Sequence, residues 1–267
     1  MNPEAMIKTI DNQEILSRIE TALNHSTDVA RQFINQKLNV QYKSDWDPVT
    51  EADHEVNAIL KEILLKDNEG WLSEETTDDL SRLEKEQVWI VDPIDGTREF
   101  VEGIPEWAIS VAYVVNGVPV AGGISNPASA EMIIGSKATG VFYNGNPASI
   151  SNRQSLDGAI ILGSRSEAKR GEWDRFENAI FQVRHVGSVA YKLGLVAAGI
   201  GDATWTLVPK HEWDVAAGVA LIRAAGGFVR GLQSENIVFN SVSPKLTGLI
   251  AGPVTLKKAI EETLGLE

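Results

Sequence analysis

Apolar residues at Ile15, Leu16, Ile19, Leu23, Val29, Phe33 and Ile34 recur at helical spacing and predict a helix over 12–36. The same period returns at Val56, Ile59, Leu60, Ile63 and Leu64, predicting a helix over 51–66. Thr50 and Asp53 stand at its start in the spacing of a capping box. Two such amphipathic helices are expected side by side on a sheet. The period then shortens. Val88, Trp89, Ile90 and Val91 form a continuous apolar run, which reads as a buried strand over 87–91. Residues 108–115 and 118–124 flank Asn116-Gly117, a dipeptide suited to the two left-handed positions of a tight hairpin. Residues 130–135 and 140–143, followed by Asn144-Gly145, predict a second hairpin.

Beyond about residue 150 the rhythm becomes alternating. A strand over 159–163 is followed by predicted helices near 173–181, 188–199 and 214–225, short strands between them, and a last helix over 254–264. The fold class read from this pattern is mixed: an α+β half over 1–148 and an α/β half over 149–267. No linker separates them, so the halves are expected to pack tightly as one unit.

Composition narrows the chemistry. The chain of 267 residues has no cysteine, which removes disulfides, thiolate metal sites and cysteine nucleophiles. A net charge of −13 argues against binding a nucleic-acid polymer, which needs clustered cations. It leaves room for a small phosphorylated substrate, because a bound cation reverses the local field. The polar, acidic start lacks the pattern of a signal peptide, and no apolar run approaches the ~20 residues that span a bilayer. The expectation is a cytoplasmic protein without a membrane partner.

The strongest chemical signal is Asp92-Pro93-Ile94-Asp95-Gly96-Thr97, directly after the buried run. Charges at a buried strand end are costly unless paired or bound to a cation. Pro93 and Gly96 make a sharp turn that presents two hard oxygen ligands, as Mg²⁺ requires. Three further acidic clusters lie at element ends: Asp45 with Asp47, Glu74 with Glu75, and Glu212 with Asp214. Taken alone, each has a plain reading as a turn, a solvated loop or a helix N-terminal acid. None of the histidines His25, His54, His185 and His211 falls in a triad spacing.

Together these segments resemble the inositol monophosphatase superfamily of Mg²⁺-dependent, lithium-sensitive phosphatases. The resemblance runs from Pro48-Val49-Thr50-Glu51-Ala52-Asp53 through the Asp92–Thr97 motif to Trp213-Asp214 and Ala224-Ala225-Gly226-Gly227. It implies a layered α-β-α-β-α sandwich of the sugar-phosphatase type. It also implies that Glu75, Asp92, the Ile94 carbonyl, Asp95 and Asp214 hold two or three Mg²⁺. Glu75 and Thr97 would serve catalysis, with Thr97 and an upstream acid orienting the attacking water. That acid is Asp47 by the inositol-branch spacing and Asp45 by the nucleotidase spacing; Asp47 is preferred. Asp95, Gly96, Thr97 and Asp214 would also meet the substrate. Ser73 stands where most members have Gly. Homodimers occur in the superfamily, and a homodimer is possible here.

Substrate choice rests on other positions. The inositol branch has an acid seven residues before the last aspartate; Leu207 stands there. The segment Gly187-Ser188-Val189-Ala190-Tyr191-Lys192 and the loop Ser164-Arg165-Ser166 resemble the 3′(2′),5′-bisphosphate nucleotidase branch. In that reading Ser164, Arg165, Ser188 and Lys192 bind the remote phosphate of adenosine 3′,5′-bisphosphate. The alternatives are an inositol or broad sugar-phosphate phosphatase, and a catalytically silent Mg²⁺-dependent binding module.

Overall fold

The computed structural model of the chain describes residues 12–34, 36, 40–44 and 47–266. In chain order the elements are α1 (Asn12–Phe33), β1 (Gln41–Ser44), β2 (Asp47–Val49), α2 (Glu51–Leu64), β3 (Gly70–Ser73), β4 (Gln87–Asp95) and α3 (Thr97–Val101). Then come β5 (Ala108–Val115), β6 (Val118–Asn126), β7 (Glu131–Ser136), β8 (Gly140–Tyr143), β9 (Asn146–Ala148), β10 (Ile160–Ser164), α4 (Arg165–Lys169) and β11 (Gln182–Val186). The rest are α5 (Val189–Ala197), β12 (Ala203–Thr206), β13 (Lys210–His211), α6 (Glu212–Ala224), β14 (Gly227–Gly231), β15 (Lys245–Leu246), β16 (Leu249–Pro253) and α7 (Lys257–Leu264).

A seven-stranded sheet runs in the order β3-β4-β5-β6-β7-β8-β9. Only β3–β4 is parallel; the remaining pairs are antiparallel. A five-stranded sheet follows the order β11-β10-β12-β16-β14. There β10 is parallel to β11 and β12, and β16 is antiparallel to both its neighbours. The apolar faces dictate the layers. Ile19, Leu23, Val56 and Leu60 of α1 and α2 pack on Trp89, Val91, Ile109 and Val111 of the larger sheet. Its other face, with Ile90, Ala112 and Ile124, shares a core with α5, α6 and the inner face of the smaller sheet. The outer face of that sheet buries Ile161, Trp205 and Ile250 beneath Trp173, Phe176, Leu256 and Ile260. The result is the α-β-α-β-α sandwich expected from the sequence.

The hairpin signals hold: Asn116 and Gly117 both take positive φ, 48° and 77°, as do Asn144 and Gly145 at 47° and 76°. The capping box at α2 is present, with the Thr50 N–H donating to Asp53 Oδ2 at 2.8 Å. One expected helix does not form. Around 173–181 there is only a 3₁₀ turn over Asp174–Phe176. Its aromatic spacing serves packing instead: Trp173 stacks on Trp205 at 5.3 Å, and Phe176 and Phe181 meet the same ring. Other boundaries shift by a residue or a few. The first helix ends at Phe33 and the second at Leu64, and the last begins as a 3₁₀ turn over Val254–Leu256.

The two central helices meet with only the Leu193 side chain between them at Gly218. A Cβ at Gly218 of α6 would lie 2.3 Å from the Leu193 Cβ of α5, and one at Gly122 of β6 would lie 2.6 Å from the Ala217 carbonyl oxygen. Gly218→Val therefore overpacks the middle layer, at a cost of about 1–3 kcal/mol. The expected outcome in thermal unfolding is a Tm lowered by roughly 2–10 °C for a chain of this size. An unchanged Tm would refute the close α5–α6 approach.

Candidate metal and phosphate site

The site forms where the C-terminal end of β4 meets the N-termini of α5 and α6. Strand β4 carries its apolar run through the core, and its regular pairing with β5 is interrupted after Asp92, which is 1% exposed. The Asp92 Oδ1 accepts the Ile94 N–H at 3.0 Å, a local turn that keeps the carboxylate at the strand end. Helix α6 delivers Asp214 one turn from its start, and Asp214 Oδ2 accepts the His211 N–H at 2.9 Å. The loop after β3 delivers Glu74. Carboxylate oxygens of Glu74, Asp92 and Asp214 all lie within 4.8 Å of one another.

Like charges this close in a low dielectric hold each other's protons on. Burial pushes the Asp92 carboxyl well above the ordinary range, and Glu74, Asp95 and Asp214 push it further. The Asp214 carboxyl is pushed up to about 8, by burial first and then by Asp95 and Glu74. Among the described residues, no hydrogen bond or ion pair gives Asp92 a cationic side-chain partner. Three convergent hard oxygens, one of them fully buried and short of donors, fit a divalent cation such as Mg²⁺.

These groups line a cavity of about 280 Å³ together with Pro48, Ile94, Asp95, Gly96, Thr97, Arg98, Glu99, Ser164, Ser166, Gly187, Val189 and Lys210. A larger cavity of about 600 Å³ lies elsewhere, beside Tyr143, Ser149, Ser151 and Ala198, and no charged side chain lines it. Gly96 caps α3 at φ 93°, and a Cβ there would sit 3.3 Å from the Trp107 Cβ. Only Gly holds this turn without strain. It brings Thr97 round so that its hydroxyl lies 3.0 Å from the Ile94 carbonyl and 3.3 Å from Asp53 Oδ1.

The expected residues divide into three groups. Asp92, Ile94, Asp95, Gly96, Thr97, Ser164 and Asp214 line the one cavity. Of the acidic pair, however, Glu74 joins the cluster and Glu75 does not. Neighbouring residues at a strand end point to different sides. The Glu75 carboxylate lies 3.9 Å from His54 Nδ1. The loop motif gave the pair but not its facing. Asp45 and the Asp47 side chain lie outside the described residues.

Asp95 takes part in a different contact from its neighbour. Its Oδ2 accepts the Ser188 hydroxyl and the Ala190 N–H, both at 2.6 Å, and so caps α5. Ser188 is thus engaged with protein. So is Lys192, which is 1% exposed and donates to the carbonyls of Val186, Gly187 and Ser188 at 3.1, 3.2 and 3.1 Å. It neither snorkels to solvent nor lines the cavity, and its three donors are used. The residue expected to grip a remote phosphate is thus held by main-chain carbonyls in this structure. Arg165 is likewise turned to Glu106 Oε2 at 3.3 Å and is not among the cavity residues.

Two residues at the site carried no functional signal in the sequence. Asp53 reads as a helix cap, and it is one, but the same buried carboxylate also meets the Thr97 hydroxyl. Lys210, which falls in none of the motifs above, also lines the cavity.

Comparison with known proteins agrees with the layered fold. The model of the inositol monophosphatase family matches residues 11–264. An inositol-1-monophosphatase from Rhizobium meliloti is 33% identical over 256 residues, covering 92% of this chain and 94% of that protein. A fructose-1,6-bisphosphatase/inositol-1-monophosphatase from Thermotoga maritima is 33% identical, covering 76% and 82%. Among solved structures, the extragenic suppressor protein suhB from Bartonella henselae superimposes with a TM-score of 0.81 at 28% identity, covering 94% and 98%.

Two outcomes test the site. In the metal-free protein Asp214 binds its proton up to about 8, against 3.8 for the ordinary side chain. Between those limits the native state holds more protons than the unfolded state, so this group's effect is to lower stability as pH rises. Mg²⁺ competes with that proton. The gain in Tm on adding Mg²⁺ should therefore grow from pH 5.5 to 8; a pH-independent gain contradicts the cluster as its binding site. Separately, Lys192→Met leaves three carbonyls without their donor. It should lower stability by about 1–3 kcal/mol, read by chemical denaturation, whereas a solvated lysine would leave it unchanged.

Proposed function

Because the chain belongs to the inositol monophosphatase family, whose members are Mg²⁺-dependent phosphatases that hydrolyse phosphomonoesters, we propose that it hydrolyses small phosphate monoesters in the cavity at the end of β4. The observation that carries this reading is the convergence of Glu74, Asp92 and Asp214 oxygens within 4.8 Å. Glu74, Asp92, Asp214 and the Ile94 carbonyl are the proposed Mg²⁺ ligands, and Asp95 becomes one if it turns from the α5 terminus. Bound Mg²⁺ supplies Lewis acidity and lowers the pKa of water at neutral pH, which suits an ester that hydrolyses extremely slowly unaided.

The chain's own groups supply orientation. Thr97 directs its hydroxyl hydrogen toward Asp53 and Ile94, which leaves its lone pairs to accept a hydrogen bond from a water in the cavity. Asp53 is held in turn by the Thr50 N–H and hydroxyl at 2.8 and 2.7 Å, so the hydroxyl is aimed before substrate arrives. Gly96 and Thr97 are the proposed backbone donors to the phosphate. Glu75 is proposed only as a support of the loop that carries Glu74. The halves 1–148 and 149–267 act as one unit, since each contributes part of this cavity.

The nucleotidase assignment loses its main support with Lys192, Ser188 and Arg165 directed elsewhere. Leu207 does not restore the inositol reading: it packs with the outer aromatic core and offers no acceptor to a polyol. Hydrolysis of more than one sugar or nucleoside phosphate fits these walls best, and the Thermotoga relative is named for two such substrates.

Phosphate release in Mg²⁺ is the direct test, with inositol 1-phosphate, fructose 1,6-bisphosphate and adenosine 3′,5′-bisphosphate as substrates. Glu74→Gln should lower turnover by about 10²-fold or more, as expected for loss of a charge that stabilises the transition state. Glu75→Gln should cost far less, and EDTA should abolish release from the wild type. A larger loss with Glu75→Gln would return the ligand role to that residue. Inhibition by millimolar Li⁺ is expected from the family.

A further inference from the structure

We propose that Lys210 is the residue that sets substrate preference, by binding a second anionic group on the alcohol side of the phosphate ester. This rests on the phosphatase reading above and extends it to a substrate class: phosphate esters whose leaving group carries its own phosphate or carboxylate.

The cavity has two unlike walls. One carries the carboxylates of Glu74, Asp92 and Asp214. The other is formed by the smaller-sheet half, with Ser164, Ser166 and Lys210. Lys210 follows Pro209 and opens the two-residue strand β13, which pairs with β15. That pairing fixes the backbone of Lys210 four residues ahead of Asp214, so the lysine and the carboxylate cluster keep a set relation. The Lys210 ammonium makes no hydrogen bond or ion pair with the described residues. Lys192, which does not line the cavity, donates to three carbonyls, and Arg165 is paired with Glu106.

Charge balance points the same way. A chain of net charge −13 repels a doubly phosphorylated substrate unless the cavity itself is positive. Without metal, Lys210 is attracted to the cluster, and its charge is felt at Asp214. With cations on Glu74, Asp92 and Asp214 that attraction is cancelled, and the ammonium becomes surplus positive charge facing the cavity. An ammonium with three donors, in a cavity that Ser164 and Ser166 also line, is suited to a phosphate or carboxylate. A neutral polyol gains little from it, and Leu207 adds no acceptor there.

Matched substrate pairs test this: adenosine 3′,5′-bisphosphate against adenosine 3′-phosphate, and fructose 1,6-bisphosphate against fructose 1-phosphate. The quantity read is the ratio of kcat/KM for the bisphosphate over the monophosphate, in wild type, Lys210→Gln and Lys210→Arg at saturating Mg²⁺. Loss of one charged hydrogen-bonding group should lower the ratio about tenfold or more in Lys210→Gln. Lys210→Arg should retain most of it. An equal loss on both members of each pair overturns the proposal, because Lys210 then acts on the transferred phosphate or on the metal carboxylates. An unchanged ratio overturns it too. If the wild type releases no phosphate from any substrate, the phosphatase reading fails instead. Calorimetric binding of the bisphosphates to wild type and Lys210→Gln then decides the inference by the same difference in affinity.

Discussion

Three carboxylates that repel one another occupy the point where the layers meet. Glu74, Asp92 and Asp214 bring their oxygens within 4.8 Å, and the fold holds them there against both desolvation and Coulomb repulsion. Two of them, Asp92 and Asp214, each accept a backbone N–H. Asp92 lies where the regular pairing of a buried strand breaks, and Asp214 is tied to the first turn of a helix whose next residues pack into the central core. A cluster so constrained stores affinity for a divalent ion, since binding relieves an interaction that the chain cannot relax by moving apart.

Asp95 is managed by a different device. Its carboxylate is stabilised by the N-terminus of α5 through the Ser188 hydroxyl and the Ala190 N–H. Those donors are themselves placed by the segment 186–188, whose three carbonyls converge on the buried Lys192 ammonium. Burial lowers the Lys192 pKa to about 8, and the Asp95 charge works against that shift. Cation, carbonyls, helix end and carboxylate therefore form one chain of contacts. A lysine that resembles a substrate ligand in sequence acts on the site through the backbone between it and Asp95.

Much of this was legible in the chain. The periods of 3.6 and 2, the Asn-Gly turns and the Thr50–Asp53 box located most elements, because each signal is local. The Asp92–Thr97 motif located the site for the same reason: strand end, turn and ligands are contiguous. What was not legible depended on facing or on partners distant in sequence. Glu74 and Glu75 are chemically identical neighbours, and only the path of the loop after β3 selects between them. Lys192 and Lys210 differ only in what surrounds them, one enclosed by carbonyls and the other open to the cavity. The aromatic residues of 173–181 carried a helix-like spacing, but contacts with Trp205 across the sheet fixed their positions.

The division of labour between the halves follows from where these local and distant signals lie. Strand β4 and the loop after β3 belong to the antiparallel half, while the wall with Ser164, Ser166 and Lys210 belongs to the other. Asp214 is the ligand that crosses between them, and it rides on α6. That helix has no room to slide, because Gly122 and Gly218 let the backbone and Leu193 approach within contact distance on two sides. Close packing at two glycines thus fixes the separation of the carboxylates from the wall with Ser164, Ser166 and Lys210. The chemistry can stay constant while the lining of that wall changes, provided α6 keeps its seat. Lys210, outside the helix but only four positions before Asp214, is a lining residue whose exchange leaves the seat of α6 untouched, which is why the proposed role in substrate preference falls to it.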